Sequence, residues 1–275
     1  MKFLVVCRVE QTSRAPAWLR QIQDRAEVAY STYGENIEPG SHHYRGGKWA
    51  GLFDFFVKQP DLLERYEYFW FPDDDICTTG DAAAAFLSLC HLRNFEIAQP
   101  ALTPDSYFAY RETIQSPLFE YRRTNLVELM MPCMRRSFLR KILPLFEGRH
   151  AALGLDWVWQ NSADRPQTNV AIVDAYPMRH SRPRNTHLAT KMRGQNISIA
   201  DERANTFEAL SIQPLTPVVY GGMLKNGRNA RNNTYIALNL FAGYLSVQKN
   251  ITNGKWTMKH SLKLALKQLT SRHPK

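Results

Sequence analysis

The chain has 275 residues, with 35 Lys and Arg against 25 Asp and Glu, and its formal net charge is +10. Hydrophobic residues make up 44% and aromatic residues 12%, a composition that excludes a disordered or collagen-like protein. No apolar run approaches the roughly 18 residues that a membrane span requires. The length allows one large domain or two small ones.

The positive charge is concentrated toward the C-terminus. Residues 176–275 contain 16 basic and 3 acidic residues, whereas residues 1–175 contain 19 basic and 22 acidic residues. This asymmetry predicts a near-neutral body over 1–185 and a basic extension over 186–275. The four cysteines lack zinc-like spacing, and the N-terminal apolar run is too short for a secretory signal, so we expect a reduced, cytoplasmic protein.

The hydrophobic pattern predicts strands and helices in alternation, which favours an α/β fold. Short apolar or aromatic runs predict strands over Phe3–Val6, Tyr66–Phe71 and Phe95–Gln99, with further apolar runs over Val127–Met131 and Val170–Val173. Helical spacing predicts helices over Ala17–Ala29, Trp49–Val57, Asp81–Leu92, Ser137–Phe146, Gly154–Ala163 and Thr257–Leu269. The ranges Asn36–Gly47 and Pro183–Asn233 read as irregular.

An acidic triplet, Asp73-Asp74-Asp75, follows the aromatic strand. Ligands of α/β sheets bind at the carboxyl ends of strands, where this triplet lies. Alternate carboxylates such as Asp73 and Asp75 can converge on one Mg²⁺ or Mn²⁺ ion, since hard oxygens suit these ions. The alternative is a solvated turn whose last aspartate caps the following helix.

Three further positions could carry chemistry, each with a plain structural alternative. Asp156 opens an apolar helix and could be a general base, or could only stabilise the first helical turn. His180 closes an apolar stretch and could ligate a metal, or could be a hydrogen-bonded structural residue. Lys48 follows Gly46-Gly47 and could hold a phosphate or a base, or could be a surface lysine. No serine hydrolase or zinc protease motif is present.

The last predicted helix is basic and amphipathic. Met258, Leu262, Ala265, Leu266 and Leu269 share one face, and lysines line another. Such a helix fits an anionic membrane surface or an anionic glycolipid acceptor. The alternative is a helix packed on the body with its lysines in solvent.

Taken in chain order, several segments resemble the plant and bacterial family catalogued as domain of unknown function 707. The resemblance covers roughly residues 45–185 and rests on a Lys-Trp pair, the aromatic strand with its acidic triplet, and later motifs in the same order. The matching segments are Lys48-Trp49, Tyr66–Ile76, Ile97–Leu102, Glu128–Pro132, Gly154–Asp156, Asn169–Asp174 and His180. At Asp74 the plant members have Glu.

That family is similar in layout to GT-A glycosyltransferases, which use nucleotide-sugar donors. The resemblance therefore implies a GT-A-like, Rossmann-type mixed sheet flanked by helices, with 1–185 as the catalytic domain and 186–275 as a basic helical extension facing an acceptor or a membrane. It implies that Asp73, Asp75 and His180 bind Mn²⁺ or Mg²⁺, and that Asp156 is the general base. The implied donor-binding residues are Arg8, Lys48, Asp74 and Gln99, and the implied acceptor-binding residues are Glu128 and Trp157.

The expected function is metal-dependent transfer of a sugar from a nucleotide sugar to a glycan or glycolipid, in the synthesis of bacterial surface polysaccharide. One alternative is a sugar-phosphate or nucleotidyl transferase, and another is a non-catalytic protein that binds a nucleotide sugar or glycan. Nucleic acid is a disfavoured partner, because few aromatics lie between the basic residues and no recognition motif accompanies them. The expected location is the cytoplasm, where the protein could also attach peripherally to the inner face of the membrane.

Overall fold

A computed structural model describes residues 2–183, 192, 194 and 196–271. A mixed sheet lies at the centre of this part of the chain. Its strands are β1 (Phe3–Val9), β2 (Glu27–Thr32), β3 (His42–His43), β4 (Tyr68–Trp70), β5 (Ile76–Cys77), β6 (Ile97–Leu102), β7 (Phe119–Thr124), β8 (Cys133–Arg135), β9 (Val170–His180), β10 (Val219–Leu224) and β11 (Asn229–Ala230). Their order is β11-β10-β7-β9-β6-β8-β4-β1-β2-β3, and β5 pairs with the end of β9.

Helices cover both faces of this sheet. They are α1 (Trp18–Gln21), α2 (Lys48–Lys58), α3 (Leu62–Arg65), α4 (Gly80–Leu92), α5 (Arg136–Ile142), α6 (Leu155–Val158), α7 (Pro166–Asn169), α8 (Ile199–Ala209), α9 (Asn233–Val247) and α10 (Met258–Thr270). Short 3₁₀ turns occur at Thr12–Arg14, Arg111–Thr113, Leu143–Phe146, Trp159–Ser162 and Gln248–Asn250. The predicted class, an α/β mixed sheet flanked by helices, is confirmed.

Strand direction brings several carboxyl ends to one edge of the sheet. β1 is parallel to β2 and β4, and β6 is parallel to β9. β8 is antiparallel to both β4 and β6, so β1, β4, β6 and β9 all point the same way. Segments that follow these strands therefore meet at the same edge.

The core has two layers because the sheet is buried on both faces. In β1, Val5 and Cys7 pack with α4 on one face, while Leu4 and Val6 pack with α2 on the other. Successive strand residues point to opposite faces, so a strand covered on both sides must be apolar throughout. This explains why Phe3–Val9 is a continuous apolar run broken only by Arg8.

The expected division at residue 185 does not coincide with a break in the sheet. β10 pairs with β7 in an antiparallel register, and Leu240 and Tyr244 of α9 belong to the same apolar cluster as β1 and α4. A buried ion pair joins Arg122 of β7 to Asp174 of β9 at 2.8 Å, and Arg122 also donates to the Tyr244 hydroxyl at 2.8 Å. The described part of the basic region is therefore built into the same core.

Several predicted elements differ in the structure. The range Ala17–Ala29 contains only the short helix α1 and the start of β2, because pairing with β1 draws Glu27–Thr32 into the sheet. β6 runs through Pro100, which is tolerated since β8 pairs only with the first two residues of β6 and leaves an edge beyond them. α5 begins at Arg136, one residue before the predicted start at Ser137. The range Pro183–Asn233, read as irregular, includes α8, β10 and β11, although 184–191, 193 and 195 lie outside the described residues.

Candidate active site

A cavity of about 410 Å³ opens at the carboxyl-end edge of the sheet. Its walls include Arg8 from β1, the acidic triplet after β4, and His180 at the end of β9. Asp156 and Trp157 of α6 also line it, together with Glu128 from the loop before β8. Apart from Gln99, all the residues that the sequence predicts for catalysis, metal binding or substrate binding lie around this one cavity.

Lys48 fixes the first aspartate of the triplet. Its ammonium group donates to Asp73 Oδ1 at 2.6 Å and to the carbonyl oxygens of Leu129 and Met130 at 2.8 and 2.9 Å. An ammonium group has three donors, so this set uses all of them. These bonds connect the acidic turn to the loop before β8. Because the Lys48 side chain is also mostly buried, the interpretation of Lys48 as a surface lysine is wrong.

Asp75 and His180 form the centre of the site. His180 Nε2 lies 3.0 Å from Asp75 Oδ2, and His180 Nδ1 lies 2.9 Å from the Tyr107 carbonyl oxygen. Burial opposes ionisation of Asp75, but hydrogen bonds and charges from His180 and Arg182 outweigh it and hold its pKa at about 2. The same contact with Asp75 raises the pKa of His180 despite its burial. Thr79, rather than Asp75, caps α4, so the helix-cap interpretation of the triplet is wrong.

These side chains suit a divalent cation. Ligand atoms of Asp73, Asp75 and His180 all lie within 4.8 Å of one another. Asp75 Oδ1 is buried and has no hydrogen-bond partner among the described residues, which marks an acceptor directed at an absent donor or cation. The Tyr107 carbonyl engages Nδ1 and leaves Nε2 facing the carboxylates, the arrangement by which proteins orient a histidine ligand. Two carboxylates and an imidazole are suitable ligands for Mn²⁺ or Mg²⁺.

Asp74 lines the same cavity but is not part of this cluster. It accepts a hydrogen bond from the Tyr33 hydroxyl at 2.7 Å and is paired with Arg182. Arg182 Nε also lies 3.1 Å from Asp75 Oδ2, so one guanidinium spans two of the three aspartates. Arg182 is not among the predicted site residues, because nothing in a single chain indicates that the segment after β9 folds back over the triplet.

Arg8 is almost completely buried. Its guanidinium donates to Ser31 Oγ at 2.7 Å and to the carbonyl oxygens of Tyr44 and Gly46 at 2.9 and 3.0 Å. Gly51 of α2 lies directly beneath it, where a Cβ atom would come within 1.9 Å of Arg8 Nη1. Burial lowers the pKa of Arg8 to about 10. Arg8 therefore holds the loop that leads into α2 and presents only part of its surface to the cavity.

Asp156 is held in the first turn of α6. The turn begins at Gly154, whose φ of +102° favours glycine. The Tyr110 hydroxyl donates to Asp156 Oδ2 at 3.2 Å and accepts a hydrogen bond from the Trp157 indole. Burial raises the pKa of Asp156 to about 6. Asp156 is thus a buried carboxylate on the cavity wall that can exchange a proton near neutral pH.

Glu128 is a second buried carboxyl group in the same wall. Its Oε1 accepts from the Tyr110 backbone N–H at 3.2 Å, whereas Oε2 is buried with no hydrogen-bond partner in the described part of the chain. Burial, with the negative charge of Asp156, raises the pKa of Glu128 to about 8. The side-chain oxygen of Gln99 accepts a hydrogen bond from the Glu128 backbone N–H. Gln99 is itself completely buried and does not line the cavity. The expected direct contact between Gln99 and a donor is therefore corrected: Gln99 positions the Glu128 loop.

One wall of the cavity comes from α8, which no local sequence motif places there. Arg203 and Phe207 line the cavity, and Phe207 packs on Trp157 with ring centroids 5.6 Å apart. The Glu202 carboxylate accepts hydrogen bonds from the backbone N–H groups of His150, Ala151 and Ala152 at 2.9, 3.0 and 2.7 Å. Three successive amides form an anion-binding concavity, so Glu202 fastens α8 to the loop that leads into α6.

No protein-family model matches the chain, and no curated protein matches it either. The resemblance to domain of unknown function 707 accordingly stays a prediction. Solved structures with a similar arrangement include TarS 1–349 of S. aureus in complex with UDP-GlcNAc. That protein is 11% identical to this chain, the match covers 91% of this chain and 83% of that one, and the TM-score is 0.44.

Two other solved structures are similarly distant. A glycosyltransferase involved in glycosylation of the major capsid of PBCV-1 is 11% identical over 71% of this chain and 99% of its own, with a TM-score of 0.39. A mycobacterial protein is 13% identical over 78% of this chain and 76% of its own, with a TM-score of 0.46. These values are too low to assign an activity, so the chemistry of the cavity must carry any assignment.

Proposed function

We propose that this protein is a glycosyltransferase that moves a sugar from a nucleotide-sugar donor to a glycan or glycolipid acceptor, and that it serves the synthesis of bacterial surface polysaccharide in the cytoplasm. One observation carries the proposal: a cluster of Asp73, Asp75 and His180 and a buried carboxylate, Asp156, line the same cavity. Transfer from a nucleotide sugar requires charge stabilisation at the leaving diphosphate and a base for the acceptor hydroxyl, and the cavity offers candidates for both.

Asp73, Asp75 and His180 would hold the Mn²⁺ or Mg²⁺ ion. When bound, such an ion stabilises negative charge on the leaving diphosphate. Lys48 keeps Asp73 in place, and the Tyr107 carbonyl keeps His180 oriented. Arg8, Lys48 and Asp74 stay as the proposed donor side of the cavity, with Arg8 and Lys48 acting mainly through the loops that they hold.

Asp156 is the proposed general base. As the acceptor oxygen forms its bond to the anomeric carbon and the bond from that carbon to the diphosphate breaks, the hydroxyl proton passes to a carboxylate oxygen of Asp156. A base acting on the acceptor, with no covalent sugar–enzyme intermediate, favours inversion at the anomeric carbon. Because its pKa is about 6, Asp156 is mostly ionised at pH 7 and still basic enough to accept the proton.

Glu128 and Trp157 are the proposed acceptor-binding residues. With a pKa of about 8, Glu128 is mostly protonated at pH 7, so its unpartnered Oε2 can donate a hydrogen bond to a sugar hydroxyl. The Trp157 ring supplies the apolar surface on which the face of a sugar ring can pack.

A donor screen tests the proposal. The protein is incubated with a panel of nucleotide sugars and Mn²⁺ or Mg²⁺, and nucleotide products are separated by chromatography. A glycosyltransferase releases a nucleoside diphosphate, whereas a nucleotidyl transferase releases or consumes pyrophosphate. We expect diphosphate release to fall at least a hundredfold in Asp156→Asn and in Asp75→Asn.

Asp61→Asn is the matched control, because its side chain is exposed on the surface and lies outside the cavity. Full activity of Asp156→Asn would remove Asp156 from the base role. Binding of a nucleotide sugar without turnover of any donor, with or without acceptor, would favour a binding protein instead.

A further inference from the structure

The helix α10 leaves a row of large apolar side chains in solvent. Met258, Leu262, Leu266 and Leu269 are 61%, 46%, 52% and 43% exposed. Their spacing of four, four and three residues places them within roughly 80° of arc on an ideal helix. We call this row the α10 stripe. The sequence predicted these residues as one apolar face, but only Ala265 of the predicted set is buried.

Another side of α10 packs on the protein. Ser261, Ala265 and Gln268 are buried, and the Gln268 side chain bonds to both the N–H and the carbonyl oxygen of Val219 in β10, at 2.9 and 2.7 Å. Lys267 forms an ion pair with Glu112 at 2.8 Å. Since these contacts already fix the helix to the sheet, the α10 stripe is not needed for folding of the helix onto the body.

Basic residues lie along one edge of the stripe. Lys259 and Lys263 follow it around the helix, and α10 contains no acidic residue. At the start of the helix, Lys255 and Arg111 add to the cluster. Desolvation, and after it the charges of these four residues, lower the pKa of His260. The surface therefore combines an apolar row with a strongly positive border.

We propose that the α10 stripe and its lysine border dock on the surface of a bilayer that contains anionic lipids. Apolar side chains enter the boundary between headgroups and acyl chains, and lysines pair with the anionic headgroups. A second copy of this chain is a poor occupant, because matched helices would bring lysines against lysines. A soluble polyanion would neutralise the lysines and leave the four apolar side chains in water.

This surface is connected to the candidate active site through neighbouring residues. Arg111 donates to the Lys255 carbonyl oxygen at 3.3 Å and packs over the Trp256 ring, just before α10. The preceding residue, Tyr110, lines the cavity and contacts Asp156. Docking is thus compatible with an acceptor supplied from the lipid surface. The docking itself does not require the transferase proposal to hold, since its test measures binding alone.

Vesicle co-sedimentation tests the docking. The full chain is mixed with vesicles of phosphatidylcholine alone, or of phosphatidylcholine with phosphatidylglycerol, and the bound fraction is measured over lipid concentration. We expect binding to the anionic vesicles that weakens as salt rises, and little binding to the neutral ones. Lys259→Gln/Lys263→Gln should weaken partition about 30-fold, from two basic residues near an anionic surface.

A second variant separates the apolar contribution. Leu262→Gln/Leu266→Gln should weaken partition at least tenfold with the lysines intact, whereas the control Leu92→Gln, in a side chain 74% exposed at the end of α4, should leave it unchanged. Thermal unfolding of each variant confirms that the fold is kept. Absence of wild-type binding to anionic vesicles would overturn the proposal. Unchanged binding by the leucine variant would also overturn it, because the surface would then be only a non-specific cationic patch. A dimer in solution that the leucine variant dissociates would overturn it as well.

Discussion

The hydroxyl of Tyr110 sets the acidity of the proposed base. It donates to Asp156 Oδ2, and this hydrogen bond favours the ionised carboxylate against the burial that raises its pKa to about 6. In Tyr110→Phe the donor is lost, so we expect the pKa of Asp156 to rise further. A hydrogen bond to a charged group contributes about 1.5–3 kcal/mol. The 3.2 Å separation places this one at the low end, and about 1.4 kcal/mol corresponds to one pKa unit, so the shift should be about one unit.

This shift has a specific kinetic signature. The carboxylate must be ionised to accept a proton, so the rate rises as pH rises through the pKa of Asp156. At pH 6 the wild-type carboxylate is about half ionised, and in Tyr110→Phe only about one tenth would be. The specificity constant kcat/KM for nucleoside diphosphate release should therefore fall about fivefold at pH 6 and little at pH 8, where both carboxylates are ionised.

The measurement is the pH profile of kcat/KM for the wild type, Tyr110→Phe and the control Tyr235→Phe, a tyrosine on α9 outside the cavity. Carbon-13 NMR titration of the Asp156 carboxyl, assigned with Asp156→Asn, gives the pKa without turnover. An equal loss of activity at pH 6 and pH 8, or an unshifted carboxyl titration, would refute the reasoning and reduce Tyr110 to a packing residue.

Three other perturbations have expected outcomes. Burial raises the pKa of Glu128 above its unfolded value, so its ionisation removes stability as pH rises from about 4.5 to about 8. Glu128→Gln should therefore raise the free energy of unfolding at pH 7 by about 2–3 kcal/mol and leave it nearly unchanged at pH 4. Urea denaturation at the two pH values measures this. Arg182→Gln removes the cation that is paired with Asp74 and Asp75, so Mn²⁺ should bind about tenfold more tightly by calorimetry. This gain is smaller than the full Coulomb attraction between Arg182 and the two carboxylates implies, because Arg182 is partly exposed. Weaker binding would contradict this. Lys48→Met leaves the Asp73 carboxylate and the Leu129 carbonyl oxygen without this donor and should lower the free energy of unfolding by about 2 kcal/mol, whereas Lys225→Met, an exposed control, should not.

The sequence predicted best those elements whose pattern reflects their own burial. β1 and β4 read as strands because both faces are covered, and α2 read as a helix because its apolar residues recur on one side. The positions of the triplet and of His180, each at the end of an apolar strand, could be predicted from the sequence, whereas the grouping of His180 with the triplet came from the family resemblance.

What could not be predicted depends on long-range packing. β2 exists because β1 pairs with it, although Ala17–Ala29 alone suggests a helix. Tyr110 reaches Asp156 across 46 residues, and Glu202 reaches the loop before α6 across about 50, with no local motif at either end. The charge asymmetry predicts a separate basic extension, yet its strand β10 pairs with β7 in the central sheet. The weak apolar pattern of β10 gives no local sign of this pairing.

The acidic triplet shows how the structure changes the chemical interpretation of the sequence. Three adjacent carboxylates suggest a site that requires a cation, yet each has a basic partner here: Asp73 with Lys48, Asp74 with Arg182, and Asp75 with His180. These partners therefore balance much of the negative charge of the triplet. A metal ion at Asp73 and Asp75 would therefore compete with these cations for the carboxylates. Arg182 is the most exposed of the three and lies on an irregular segment after β9, so it is the cation that can leave Asp75 at least cost.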